Sequence, residues 1–159
     1  MDEFGQRPCA RGARPSTVRA RARTVYAVTS AAPKAASLTA QQVAQAAARA
    51  ASDLKATDLI VLDLRDVTDV TDFFVIASGT SDTHVRAVAE HVAAELKKSG
   101  VSVHHAEGLQ QGRWALLDFV DCIVHVFHPT LRQFYQLERL WGDATPVALG
   151  FDPREGSSR

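Results

Sequence analysis

The chain has 159 residues, 46% of them hydrophobic, and a formal net charge of zero. That is one domain's length with enough apolar material for one core. No run of eighteen apolar residues and no apolar secretory start occur, so neither a membrane-spanning helix nor an export signal is expected.

The zero hides an asymmetry. Residues 1–37 hold seven of the eighteen Lys and Arg but only two of the eighteen Asp and Glu, so residues 38–159 are net acidic. An acidic folded part is a poor phosphate binder, because nucleic-acid affinity comes largely from cations that displace counterions. It suits a basic protein partner. Residues 1–37 have no sustained apolar period and include the run Arg19-Ala20-Arg21-Ala22-Arg23, which predicts a disordered arginine-rich extension. Three further readings stay open for it: a basic arm that touches RNA, an organelle transit peptide, or a start placed too early.

The domain is expected over residues 38–150. Thr39 and Gln42 have capping-box spacing, and Val43, Ala47, Ala50 and Leu54 recur at helical spacing. With so few large residues, this helix is expected to lie on the domain rather than at its centre. Leu59 to Leu64 and Phe73 to Ala77 read as buried strands, separated by an aspartate-rich turn region over 65–72. Ser78 to Asp82 is a strand-to-helix loop in which Thr80 or Ser81 caps a helix with the apolar face Val85, Val88, Ala89, Val92, Ala93 and Leu96. Lys97, Lys98 and Gly100 suit its C-terminal end. Val101 to Ala106 reads as a strand, and 107–112 as a glycine-flanked loop. Trp114 to Phe119 and Cys122 to Phe127 read as a hairpin joined at Val120-Asp121. Pro129 opens a last helix running to Trp141, stopped by Gly142, and residues 151–159 read as a flexible tail. The order α-β-β-α-β-β-β-α predicts an α/β protein with a mixed five-stranded sheet flanked by helices.

Chemistry is hard to find. Cys9 and Cys122 have no metal-binding or disulfide spacing, and Cys122 reads as a buried free thiol, which fits a reducing cytoplasm. The six histidines do not converge: His84 and His91 are two turns apart, and His104 and His105 point to opposite sides of a strand. No metal is expected. The loop Ser78-Gly79-Thr80-Ser81 invites comparison with phosphate-cradling loops. Nucleotidyltransfer, however, needs a carboxylate pair on the next strand to hold divalent metal, and Val101 to Ala106 has none. The loop therefore reads first as a helix cap. No cofactor and no catalytic residue are expected, and a nucleotide-binding enzyme remains the alternative.

The last helix is different. At 100° per residue, Leu137, Trp141, Phe134, Leu131 and Tyr135 spread over roughly 160° and Leu140 widens the arc to roughly 220°, where one core-facing stripe needs about 100°. Glu138 falls inside this arc. It either pairs internally with an arginine or meets a donor on a partner. Trp and Tyr favour interfaces, which also makes Trp114 a candidate.

Three segments carry a resemblance: DFFVIASGTSDTHVRAVAEHV at 72–92, EGLQQGRWALLDFVDCIVHVFHP at 107–129 and FYQLERLWGDA at 134–144. In order, over about residues 40–144, they are similar to the ribosomal silencing factors of the Iojap family. The resemblance implies a nucleotidyltransferase-like sheet lacking the catalytic carboxylates. It implies binding to the large ribosomal subunit through ribosomal protein L-fourteen, which blocks joining of the small subunit and represses translation when nutrients are scarce. It also implies homodimers, at most peripheral contact with ribosomal RNA and, in organelle relatives, a part in large-subunit assembly. By motif position the partner surface includes Trp114, Leu116, Tyr135, Glu138 and Trp141, with Asp118 and His125 added.

Overall fold

The computed structural model describes residues 38–153. Expectations for residues 1–37 and 154–159, Cys9 included, lie outside the described residues.

Helix α1 spans Ala40–Asp53. Its capping box forms as spelled: the Thr39 hydroxyl accepts from the Gln42 N–H, and the Gln42 side chain accepts from the Thr39 N–H at 2.9 Å. Strand β1 (Thr57–Asp63) and strand β2 (Phe73–Ser78) follow, then helix α2 (Asp82–Lys98), capped by Ser81, whose hydroxyl accepts from the His84 N–H. Next come β3 (His105–Glu107), β4 (Trp114–Asp118), β5 (Cys122–Phe127), the short helices α3 (Pro129–Tyr135) and α4 (Leu137–Leu140), and β6 (Thr145–Pro146).

The sheet has six strands in the order β3-β4-β5-β2-β1-β6. Only β2 and β5 run parallel. Five strands were expected. The sixth is a two-residue stub pairing Thr145 and Pro146 with Asp63 and Leu62, too short for any period-2 signal. The strand expected at Val101–Ala106 is displaced. Val101 and Val103 turn inward onto the core, and only His105 to Glu107 ladder with β4. The tail expected to be loose from residue 151 is packed at least to Pro153. Phe151 is half-buried against the core with the Arg49 guanidinium 5.5 Å above its ring, and the Ser52 hydroxyl donates to the Pro153 carbonyl.

Alternate residues of each strand face opposite sides. Phe73, Val75, Ala77, Ala115, Leu117, Val124 and Val126 pack beneath α1 and α2. Helix α1 is not peripheral: Ala44, Ala47, Ala48 and Ala51 have no exposed surface. Small side chains let its backbone approach the sheet and α2 closely, so alanine content marked intimacy rather than marginality. Gly79 serves the same closeness, since a Cβ there would stand 2.7 Å from a methyl of Val85. Cys122 is fully buried, and burial raises its thiol pKa, so it stays protonated and inert.

The opposite face carries a second, smaller cluster of Leu62, Leu64, Phe74, Ile76, Phe127 and Ala144. Helices α3 and α4 cover it incompletely. One continuous helix to Trp141 was expected, but Gln136 adopts a left-handed conformation (φ 44°, ψ 53°) and splits it in two.

Candidate functional site

Strand register places the expected residues on this second face. Trp114 pairs with Phe127, Leu116 with His125 and Asp118 with Ile123, and paired residues share a side. Trp114, Leu116 and Asp118 thus project away from α1 and α2, and Ala115, Leu117 and Phe119 toward them, as their alternation predicts.

Trp114 is half-buried in a ring assembly. It stacks on Phe127 with centroids 5.0 Å apart and leans on Tyr135 at 5.1 Å. Tyr135 meets Phe134 edge to face, also at 5.0 Å. The assembly is open on its outer side, with Phe134 77% and Tyr135 48% exposed, and Leu140 at the end of α4 is 73% exposed. Trp141 is half-buried and meets Phe74 edge-on at 5.5 Å. Gly108 helps to set Trp114, because its positive φ of 74° brings its Cα so near the Trp114 carbonyl that a Cβ would overlap it.

His125 forms the floor, only 5% exposed. Its Nδ1 accepts from the Trp114 indole N–H at 3.2 Å, and that bond selects the tautomer with the proton on Nε2, which finds no acceptor among the described residues. Phe74 stands edge-on to the ring at 5.0 Å. Desolvation pushes the imidazole pKa down to about 4, so it is neutral at physiological pH.

The remaining two expected residues are held by their own fold. Asp118 accepts the Val120 N–H at 2.7 Å and so caps the β4–β5 turn. Glu138 has an internal arginine: Arg132 Nε donates to it at 2.6 Å. Glu138 lies on the β1 flank of α3 and α4, in a cleft of about 400 Å³ with Asp58, Ile60, Ser78 and Arg139. Phe134 and Leu140 lie inside the expected helical arc, and a straight-helix projection cannot tell which part of a wide arc is uncovered. An internal arginine for Glu138 is one of the two sequence readings, but nothing singles out Arg132 until the break at Gln136 is visible.

The Ser78 to Asp82 loop is a helix cap. The Gly79 N–H bonds the Phe127 carbonyl, and the Thr80 N–H bonds His84 Nδ1 at 2.9 Å. His84 Nε2 in turn donates to the Leu54 carbonyl at 2.6 Å, tying the end of α1 to the start of α2. The amides that would cradle phosphate at Gly79 and Thr80 are occupied. Strand β3 does carry one carboxylate, Glu107, contrary to the strand as first drawn, but it is bonded to His105 at 2.7 Å. Among the described residues no three His, Cys, Asp or Glu side chains gather to hold a metal, and no helix is long and apolar enough to cross a membrane.

Comparison with known proteins identifies the family. The profile of the family described as "Ribosomal silencing factor during starvation" matches residues 37–158. The chain is 39% identical over 111 residues to the ribosomal silencing factor of Bacillus subtilis, covering 70% of this chain and 94% of that protein. It is 39% identical over 105 residues to the chloroplastic Iojap protein of Zea mays, covering 66% of this chain and 46% of that one. A crystal structure of a Chromobacterium violaceum protein superposes with a TM-score of 0.65 at 32% identity, covering 76% of this chain and all of that one.

Proposed function

Because the chain belongs to the ribosomal silencing factor family, we propose that it docks on the large ribosomal subunit through the Trp114–Tyr135 face, engaging ribosomal protein L-fourteen, and keeps the small subunit from joining. The family is regulatory rather than enzymatic. The mechanism is occupancy: a factor seated where a subunit must join needs only enough affinity to outcompete it. No bond is made or broken. The proposed setting is the cytoplasm, with translation repressed when nutrients are scarce.

One observation carries this reading. The two most exposed aromatics of the domain, Phe134 and Tyr135, adjoin half-buried Trp114 to make a continuous apolar surface on an otherwise acidic chain segment. Exposed aromatic patches with a polar rim mark protein contacts. In the proposed interface Trp114, Leu116, Tyr135 and Trp141 supply apolar area. His125 supports the Trp114 ring from beneath, Glu138 is neutralised by Arg132 and shapes the face from within, and Asp118 lends negative charge that favours a basic partner. Contact with ribosomal RNA is at most peripheral.

Co-sedimentation of the purified protein with isolated large subunits tests the reading. The parent is expected to co-sediment and to inhibit formation of whole ribosomes when small subunits are added. Trp114→Ala combined with Tyr135→Ala is expected to weaken binding at least 100-fold, two interface aromatics being worth about 2 kcal/mol each. A double variant that binds like the parent places the interface elsewhere.

A further inference from the structure

Helices α3 and α4 have seven and four residues, and neither contains a fully buried one. Helices this short do not persist on propensity. Leu131, Leu137 and Trp141 give them partial apolar contact with the sheet. Beyond these and the ring contact of Tyr135 with Trp114, the polar hold comes from one guanidinium. The Arg132 side chain is 11% exposed and ties its own helix to two other elements at once. Its Nε and terminal nitrogen reach Glu138 of α4 at 2.6 and 2.5 Å, and its other terminal nitrogen donates to the Ser78 hydroxyl at the end of β2 at 2.8 Å.

The spacing of the pair is informative. Residues six apart on a straight helix lie about 120° round and about 9 Å along from one another, so they do not meet. Arg132 and Glu138 meet only because the chain breaks at Gln136, a non-glycine residue in the left-handed region. Such a conformation costs about 1–2 kcal/mol and persists where its surroundings hold it from both sides. The break turns Leu137 and Trp141 down onto the second cluster, while Tyr135 stays beside Trp114.

We propose that Arg132 is the positioning residue of the docking face: by clamping Ser78 and Glu138 across the joint at Gln136 it sets the angle at which α4 leaves α3, and hence which aromatic groups stand outward. It does so without touching the partner. This rests on the docking reading above.

The test uses the full chain with Arg132→Met, which keeps the apolar stem, and the exchanged pair Arg132→Glu with Glu138→Arg. Hydrogen exchange over residues 136–141 reads the joint, and tryptophan emission reads the face, because the chain's two tryptophans, Trp114 and Trp141, both belong to it. Co-sedimentation with large subunits reads docking. Arg132→Met is expected to speed exchange over 136–141 at least 10-fold and shift the emission to the red. Affinity should fall at least 10-fold, exchange in α1 and α2 should stay unchanged, and the exchanged pair should recover most of the loss. Weakened binding with unaltered exchange and emission overturns the proposal, since the arginine then contacts the partner itself. Parental binding despite a loosened joint overturns it as well. If Arg132→Met loosens α1 and α2 too, Glu138→Gln at the more exposed end of the pair decides the same question. If the parent itself fails to co-sediment, the docking reading falls, whereas the exchange data still report whether Arg132 sets the joint.

Discussion

The two faces of the sheet are built from the same strands and finished differently. One is closed by helices of 14 and 17 residues whose alanines and valines reach zero exposure. The other is covered by helices of seven and four residues that bury nothing completely and leave Phe134, Tyr135 and Leu140 in the open. Packing to completion is what a structural face does. An aromatic face left half-finished has contact surface to offer. The contrast separates two kinds of residue: those whose loss unfolds the domain and those whose loss leaves it folded without its proposed partner.

The largest change that sharpens the contrast is on the closed face. Phe73→Ala removes a ring that is 1% exposed and is expected to cost roughly 3–5 kcal/mol, lowering the melting temperature by roughly 10–20 °C in calorimetry. A small shift there would mean that the face is less well packed than its burial indicates.

Acid probes the floor of the open face. The folded-state pKa of His125 is pushed down to about 4 from an ordinary 6.5 by burial, so between these values the unfolded chain binds the extra proton. Stability is therefore full above about pH 6.5 and falls as pH drops toward 4, by something of order 3 kcal/mol from this one group. In His125→Gln this part of the pH dependence should vanish from urea melts at pH 4.5 and 7.5. An unchanged slope would show that the imidazole is better solvated than its surroundings indicate.

Phe134→Ala and Leu140→Ala lie at the other extreme. Both side chains are more than 70% exposed, and each is expected to move stability by no more than about 0.5 kcal/mol in denaturant titration. Phe134→Ala should still weaken large-subunit binding several-fold. A strong loss of stability from either would break the distinction between the faces. An effect of the opposite sign belongs to neither face: Val120 sits at φ 76° in the β4–β5 turn, 60% exposed. Val120→Gly should raise stability by about 0.5–1 kcal/mol, the strain relieved exceeding the added chain entropy.

The closed face was largely legible in the sequence. The capping box at Thr39, the periodic valines of α2 and the alternation in β4 are local signals, and the residues that emit them sit where the signals say. The misreadings share a cause, which is that tertiary contacts overruled a local period. Gln136 breaks a helix whose apolar spacing runs straight through it, because Arg132 finds Ser78, a residue 54 positions earlier in the chain. Val101 and Val103 have strand-like alternation but are spent on the core instead of a ladder. Alanine in α1 was read for its small area, when its value lies in permitting close approach. The aromatic content of the candidate site was therefore visible in advance, and its geometry was not.

Both margins of the sheet are stubs. Strand β3 offers three residues, and β6 offers two, one of them Pro146, which has no N–H to donate. Among the described residues a second chain finds little backbone on either stub to zip onto, and the part of β1 that β6 leaves uncovered is kinked at Asp58 (φ 50°), so sideways growth of the ladder is disfavoured. The molecule can display greasy rings to a partner while its sheet stays a poor template for an endless ladder.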